Sequence, residues 1–179
     1  YEESVWNDKH PNVNPVTGED LNPIPFYNTT SDEATAPGGV LPSVNLNRVF
    51  VLSTSGTCSA SEAFINGLRG IDVEVILIGD TTCGKPYGFY ATDNCGTTYF
   101  TIQFRGENQK GFGQYADGFV PSSTDNGQDF VKGCVVADDF NHLLGDPDEA
   151  MLAAALEYQS SGTCPATVEK TAQRHSYKG

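Results

Sequence analysis

An α/β fold with a largely parallel sheet and flanking helices follows from three features of the sequence. The first is an apolar run rich in β-branched and aromatic residues at 48–53, which breaks at small residues. The second is a helical spacing of apolar residues that opens near Ser59. The third is a nearly continuous apolar run from Val73 to Ile78. Strand, turn, helix, strand is a βαβ reading, and its polar turns fall on one edge of a parallel sheet.

Each element follows in order. Residues 1–46 are rich in Pro, Asn, Thr, Asp and Gly, offer turns but little periodicity, and are expected to be an irregular insertion or connector. Trp6, Phe26 and Tyr27 are the residues there able to pin it to a surface. Residues 48–53 are a strand. Ala60, Ala63, Phe64, Gly67, Leu68 and Ile71 share one helical face, and Ser59-x-x-Glu62 in front of them is a capping-box pattern. Val73 to Ile78 reads as a strand buried on both faces. Thr97 to Phe104 is a third strand with partial alternation. Gly106 to Gly118 is a Gly-rich loop with aromatics. Phe119-Val120-Pro121 is a short edge strand, because Pro cannot sit in a central ladder. Asp148 to Gln159 is a second helix, with Ala150, Met151, Ala154, Ala155 and Tyr158 on one face. The core is expected over 47–164, with a loose polar tail at 165–179.

A length of 179 residues favours one domain, and 38% hydrophobic residues suffice for a core. The net charge of −13 argues against nucleic acid or anionic membranes as partners. No apolar run is long enough to span a membrane. The chain starts Tyr1-Glu2-Glu3 and is read as a mature or excised piece of something longer. Five cysteines stand at 58, 83, 95, 134 and 164, with no CxxC pair and no His at ligand spacing, so zinc is not expected, and the Gly-rich turns lack a phosphate-loop spacing, so no cofactor is expected. Cys83 and Cys95 bracket a short loop, and Cys134 and Cys164 bracket the last helix. Two bridges with Cys58 left over is the preferred arithmetic, though five cysteines permit other pairings; it implies a secreted or periplasmic compartment.

The chemistry concentrates in two turns. Ser59 ends a strand turn and opens a helix, beside unpaired N–H groups at the positive end of the helix dipole. The Ala60 N–H is able to point at the same space, which suits a nucleophile with an oxyanion donor. The plain alternative is a helix cap. Lys85 follows Thr82-Cys83-Gly84 at the exit of the next parallel strand, on the same sheet edge as Ser59. In an apolar setting, with Ile78, Tyr87 and Phe89 as the neighbours in sequence, a Lys serves as a general base for Ser. The plain alternative is a solvated turn lysine. Weaker candidates are Cys58 as a thiol nucleophile and His10, His142 or His175 as partners of a Ser. Asp138-Asp139 reads as a helix N-terminus rather than a calcium site.

Ser59-Ala60-Ser61-Glu62, then a helix, an apolar strand, Gly79-Asp80 and Thr82-Cys83-Gly84-Lys85, resembles the C-terminal processing (tail-specific) peptidases. Related to that family are the tricorn protease core and the interphotoreceptor retinoid-binding modules. The resemblance runs over about 47–158, where Gly145-Asp146-Pro147-Asp148 matches the closing segment. It implies a ClpP/crotonase-like architecture of ββα units, Ser59 as nucleophile and Lys85 as base. Many members carry an orienting Gln where this chain has Phe89. Tyr87 and Asp80 are the candidates to orient Lys85 instead. The family's strand and Gly-rich turn for a second oxyanion donor, and its peptide-binding module, have no counterpart before residue 47, which implies the C-terminal part of a catalytic domain with an upstream domain in the same protein.

The expected function is a serine endopeptidase acting on protein or peptide substrates through a Ser59–Lys85 dyad, with activity rising with pH because the base must be neutral. The alternative is a non-catalytic binding module for hydrophobic ligands or peptides. A third reading is an interaction domain that uses the aromatic loop Phe112 to Tyr115.

Overall fold

The computed structural model describes residues 2–9, 12–14, 16–21, 27–124 and 127–166. The expectations for His10, Phe26, His175 and the tail after residue 166 lie outside them. The elements are β1 (Glu2–Trp6), β2 (Arg48–Ser53), α1 (Ala60–Gly70), β3 (Glu74–Gly79), β4 (Tyr87–Phe89), β5 (Thr92–Asn94), β6 (Thr97–Tyr99), β7 (Ile102–Asn108), β8 (Val120–Ser122), β9 (Phe130–Val135) and α2 (Ala150–Ser161).

The central sheet has the order β2-β3-β9-β8 and is parallel throughout. The run of β3 is continuous because both of its faces are covered. Ile76 and Ile78 meet Met151, Ala154, Ala155 and Tyr158 of α2, together with Cys134 and Val136. Val75 and Leu77 meet Ile65 of α1, Val131, Tyr115 and Phe119. Period-2 alternation thus hands successive residues to two different helices. Val120-Pro121-Ser122 forms the edge, where the missing Pro N–H breaks no ladder.

A largely parallel sheet describes only this part of the molecule. A second sheet, β1-β7-β4, is antiparallel, and β5-β6 is a separate hairpin. The fold is therefore mixed α/β. The stretch 1–46 contributes a strand that the Pro- and Asn-rich composition hid: β1 runs antiparallel to β7 from Glu2↔Asn108 to Trp6↔Phe104. The Trp6 ring lies on Tyr90 and Phe104, with centroids at 5.7 and 4.5 Å. The expected strand 97–104 is two strands. Thr97–Tyr99 belongs to the hairpin, and the chain re-enters as Ile102–Asn108. β9 carries no clear signal in its sequence because Lys132 and Gly133 interrupt it. Gly133 is required there: a Cβ would stand 1.8 Å from the Leu77 carbonyl oxygen.

The buried stripe of α1 differs from the expected one. Glu62, Ile65, Asn66, Gly67 and Gly70 are buried, whereas Phe64 and Ile71 are half exposed. Two polar residues occupy the inner face because both are fully partnered. Asn66 Nδ2 donates to Glu2 Oε2 at 2.9 Å and to the Phe112 carbonyl at 2.8 Å, and Asn66 Oδ1 accepts from Asn108 Nδ2 at 2.9 Å. α2 buries the face that its spacing predicts, is capped by the Glu149 carboxylate on the N–H groups of Met151 and Leu152, and ends at Gly162 in the left-handed region. No helix begins at Asp138-Asp139. There the Asp139 carboxylate accepts from the Asn141 N–H at 2.9 Å and pairs with the His142 ring at 2.7 Å, a local turn that competes with helix.

The bridges are Cys58–Cys83 and Cys134–Cys164. The second pairing is as expected. The first corrects the expected Cys83–Cys95 pair with Cys58 free. Parallel pairing of β2 with β3 carries the 54–58 and 80–84 turns to one edge, where the Cα atoms of Cys58 and Cys83 are 5.2 Å apart. Cys95 sits at the tip of the β5-β6 hairpin, where Cys95 and Gly96 both have positive φ, and it is free and exposed.

Candidate active site

The β2 and β3 register sets Ser53 opposite Gly79, and the following turns stay side by side. The Asp80 N–H donates to the Ser53 carbonyl at 2.9 Å, the Ser53 hydroxyl donates to the Asp80 carbonyl at 2.7 Å, and the Cys83 N–H donates to the Thr57 carbonyl at 2.9 Å. The Cys58–Cys83 bridge closes the same seam. Cys58 is therefore not a thiol nucleophile.

Ser59 is exposed at the mouth of α1 with φ 53° and ψ −107°. A side chain rarely occupies this region, and surrounding structure must hold it there. The restraint comes from within. The Glu62 carboxylate is fully buried and takes four donors. Its Oε2 accepts the N–H of Ser59 at 3.0 Å and of Lys85 at 2.8 Å. Its Oε1 accepts the N–H of Gly84 at 2.7 Å and the Thr82 hydroxyl at 2.5 Å. The capping box is present, but Glu62 does more than cap a helix: it joins the Ser59 turn to the Lys85 turn. In the sequence Glu62 carries only its capping-box signal, three residues after Ser59, because its other donors lie at residues 82–85.

The Lys85 turn is backed by the Gly-rich loop. The Thr82 N–H donates to the Phe119 carbonyl at 3.0 Å, and the Phe119 N–H donates to the Thr82 hydroxyl at 2.7 Å. Gly84 has φ +79°, and a Cβ on it would stand 2.1 Å from the Ala116 carbonyl oxygen. The aromatics of this loop face inward. Tyr115 and Phe119 are buried and stack at 4.7 Å, and the Tyr115 hydroxyl donates to Glu2 Oε1 at 3.0 Å. Burial raises the Tyr115 hydroxyl pKa, and the Glu2 charge adds to this. The loop is core, which removes the basis for an aromatic docking surface at Phe112 to Tyr115.

The side chains at this edge stand as follows. Ala60, first residue of α1, is exposed, and its N–H meets no backbone acceptor among the described residues. The Ser59 N–H is taken up by Glu62. Lys85 is exposed. Ile78 does not enclose it, since strand alternation buries Ile78 against α2, while Tyr87 and Phe89 are 41% and 45% exposed. Among the described residues no hydrogen bond or ion pair joins the Lys85 side chain to Ser59, Asp80 or Tyr87. The Asp80 carboxylate accepts its neighbour's N–H, from Thr81, at 2.7 Å. Phe89 packs edge-on against Phe100. His142 lies in the exposed loop after β9 with Asp139. Among the described residues no group of His, Cys, Asp and Glu is arranged to hold a metal ion. An open groove of about 630 Å³ lies at the opposite sheet edge, by Glu74, Phe130 and Lys132, away from these turns. There Lys132 and Arg48 bond Glu74 and hold its carboxyl below the usual range.

No family model matches the sequence, and no curated protein does. Among solved structures the fold is similar to that of "Putative S41 protease from Bacteroides fragilis NCTC 9343", with a TM-score of 0.54 and 26% identity over 70% of this chain. The likeness supports an S41 peptidase-like relationship. The chain spans 30% of that structure's length.

Proposed function

We propose that this chain carries the nucleophile and the base of a secreted or periplasmic serine endopeptidase of ClpP/crotonase-like architecture. Its substrates are peptide bonds of proteins. The observation that carries the reading is the backbone of Ser59, an exposed hydroxyl residue at φ 53° and ψ −107° on a strand-to-helix turn. A residue that only caps a helix rests in the β region, and strain of this kind gathers at reacting groups. The likeness to an S41 protease supports the same reaction class, and two disulfides suit an oxidising compartment.

In this reading the Ser59 Oγ attacks the substrate carbonyl carbon and Lys85 Nζ takes its proton. The oxyanion receives the Ala60 N–H, and the C–N bond breaks as Lys85 returns the proton to the leaving amine. Water then hydrolyses the acyl-enzyme, with Lys85 again as base. The side chain of Lys85 must swing to Ser59 for this, with Tyr87 or Asp80 orienting it, and another part of the protein supplies a second oxyanion donor. In the full-length protein, Ser59→Ala and Lys85→Ala should each abolish cleavage of a denatured protein substrate. Cleavage that survives either change refutes the dyad.

The second reading is a non-catalytic module binding hydrophobic ligands or peptides. It draws on the exposed Lys85 and on Phe140, Leu143 and Leu144, all more than 80% exposed in the loop after β9. A fluorophosphonate probe separates the two, since it labels an activated Ser and ignores a carrier.

A further inference from the structure

We propose that Glu62 is the positioning residue of this site, one buried carboxylate that sets the separation of nucleophile and base. The inference rests on the Ser59–Lys85 reading and adds the group that holds the pair. A single oxygen, Oε2, binds the backbone N–H of both residues, at 3.0 and 2.8 Å. Neither turn can shift along the seam without breaking one of these bonds. The other oxygen anchors the approach to Lys85 through Gly84 and Thr82. Bonds from N–H to a carboxylate are stronger than neutral ones, and burial strengthens them further. The Cys58–Cys83 bridge fixes the chain one residue before Ser59 and two before Lys85. The bridge and the Cys83 N–H bond to the Thr57 carbonyl hold the turns beside each other, and Glu62 adds the link between the Ser59 and Lys85 N–H groups themselves. Engaging the Ser59 N–H also holds the unusual φ of Ser59. The Glu62 carboxylate itself bonds three backbone N–H groups and the Thr82 hydroxyl, and no reacting atom.

The test uses the full-length protein with Glu62→Gln, which keeps size and shape but turns an amide N–H₂ toward N–H donors. Fluorophosphonate labelling of Ser59 should slow on the order of 10–100-fold, as for a reacting group displaced by about 1 Å. With a peptide substrate the loss should fall on kcat and leave KM unchanged. Ile65→Ala is the control, because it opens a cavity under the same helix without touching Glu62, and its labelling rate should stay near the parent's. Glu62→Gln labelling at the parental rate overturns the proposal, as does an equal slowing by Ile65→Ala. Should Glu62→Gln fail to fold, Glu62→Asp, which reaches fewer of the four donors, is read the same way. Should the parent itself fail to label, the dyad reading falls, and amide hydrogen exchange decides the role of Glu62. Loss of protection at Ser59 and Lys85 together in the variant supports it; unchanged protection overturns it.

Discussion

Replacing Cys58 and Cys83 together by Ala separates two things that a disulfide does. The bridged residues are 25 apart in sequence. Loop-closure entropy for that length is about −11.7 cal/mol/K, or about 3.5 kcal/mol at 25 °C. Cys134 and Cys164 are 30 apart, which by the same relation gives about 3.6 kcal/mol. Urea unfolding should therefore show nearly equal losses for the two double variants, and each melting temperature should fall by about 7–14 °C. Their positions differ. The first bridge lies in the seam between the Ser59 and Lys85 turns, and the second ties β9 to the segment after α2. Fluorophosphonate labelling of Ser59, measured well below both melting points, should slow only in Cys58→Ala/Cys83→Ala. Equal slowing in both variants would mean that labelling follows global stability, and the argument from position fails. Losses that differ by more than about 1 kcal/mol, in either direction, would refute the entropic estimate.

Two further outcomes follow from local geometry. Gly84→Ala should destabilise by about 3 kcal/mol or more in urea unfolding, through a Cβ at positive φ set against the Ala116 carbonyl, and should slow Ser59 labelling. His142 should titrate in NMR above the usual histidine value, because it bonds the Asp139 carboxylate and lies near Asp146 and Asp148. Its contribution to stability is then fully present below the unfolded value of about 6.5 and is lost as pH rises through the folded value. Asp139→Asn should bring that titration back down.

The central strands and α2 were legible because each has one simple environment. β3 is apolar throughout and is buried on both faces, and the α2 face of Met151, Ala154, Ala155 and Tyr158 meets a single partner layer. The edge that carries Ser59 and Lys85 was legible for a topological reason: parallel strands send their exits the same way. What could not be read depends on pairing between distant residues. β1 acquires its strand character from β7, about a hundred residues away in the chain. β9 is held together by a Gly whose need arises from Leu77. Glu62 reads as a cap because its other three donors come from residues 82–85, and apolar spacing misses part of the inner face of α1 because Glu62 and Asn66 find their partners only in the fold. The cysteine pairing followed proximity in sequence, where Cys95 is nearest to Cys83, whereas the fold brings Cys58 closer in space.

Trp6 is the chain's one tryptophan, and it stacks on Tyr90 and packs at a tilt against Phe104 of the antiparallel region. Intrinsic fluorescence of this protein is therefore a local gauge. Its emission follows the docking of β1 onto β7, while far-UV circular dichroism follows every helix and strand at once. A difference between the two transitions would time the detachment of the N-terminal strand against the melting of the rest. Quenching by an added ligand would likewise signal contact near that aromatic stack, and silence in that channel would say nothing of an encounter at Ser59.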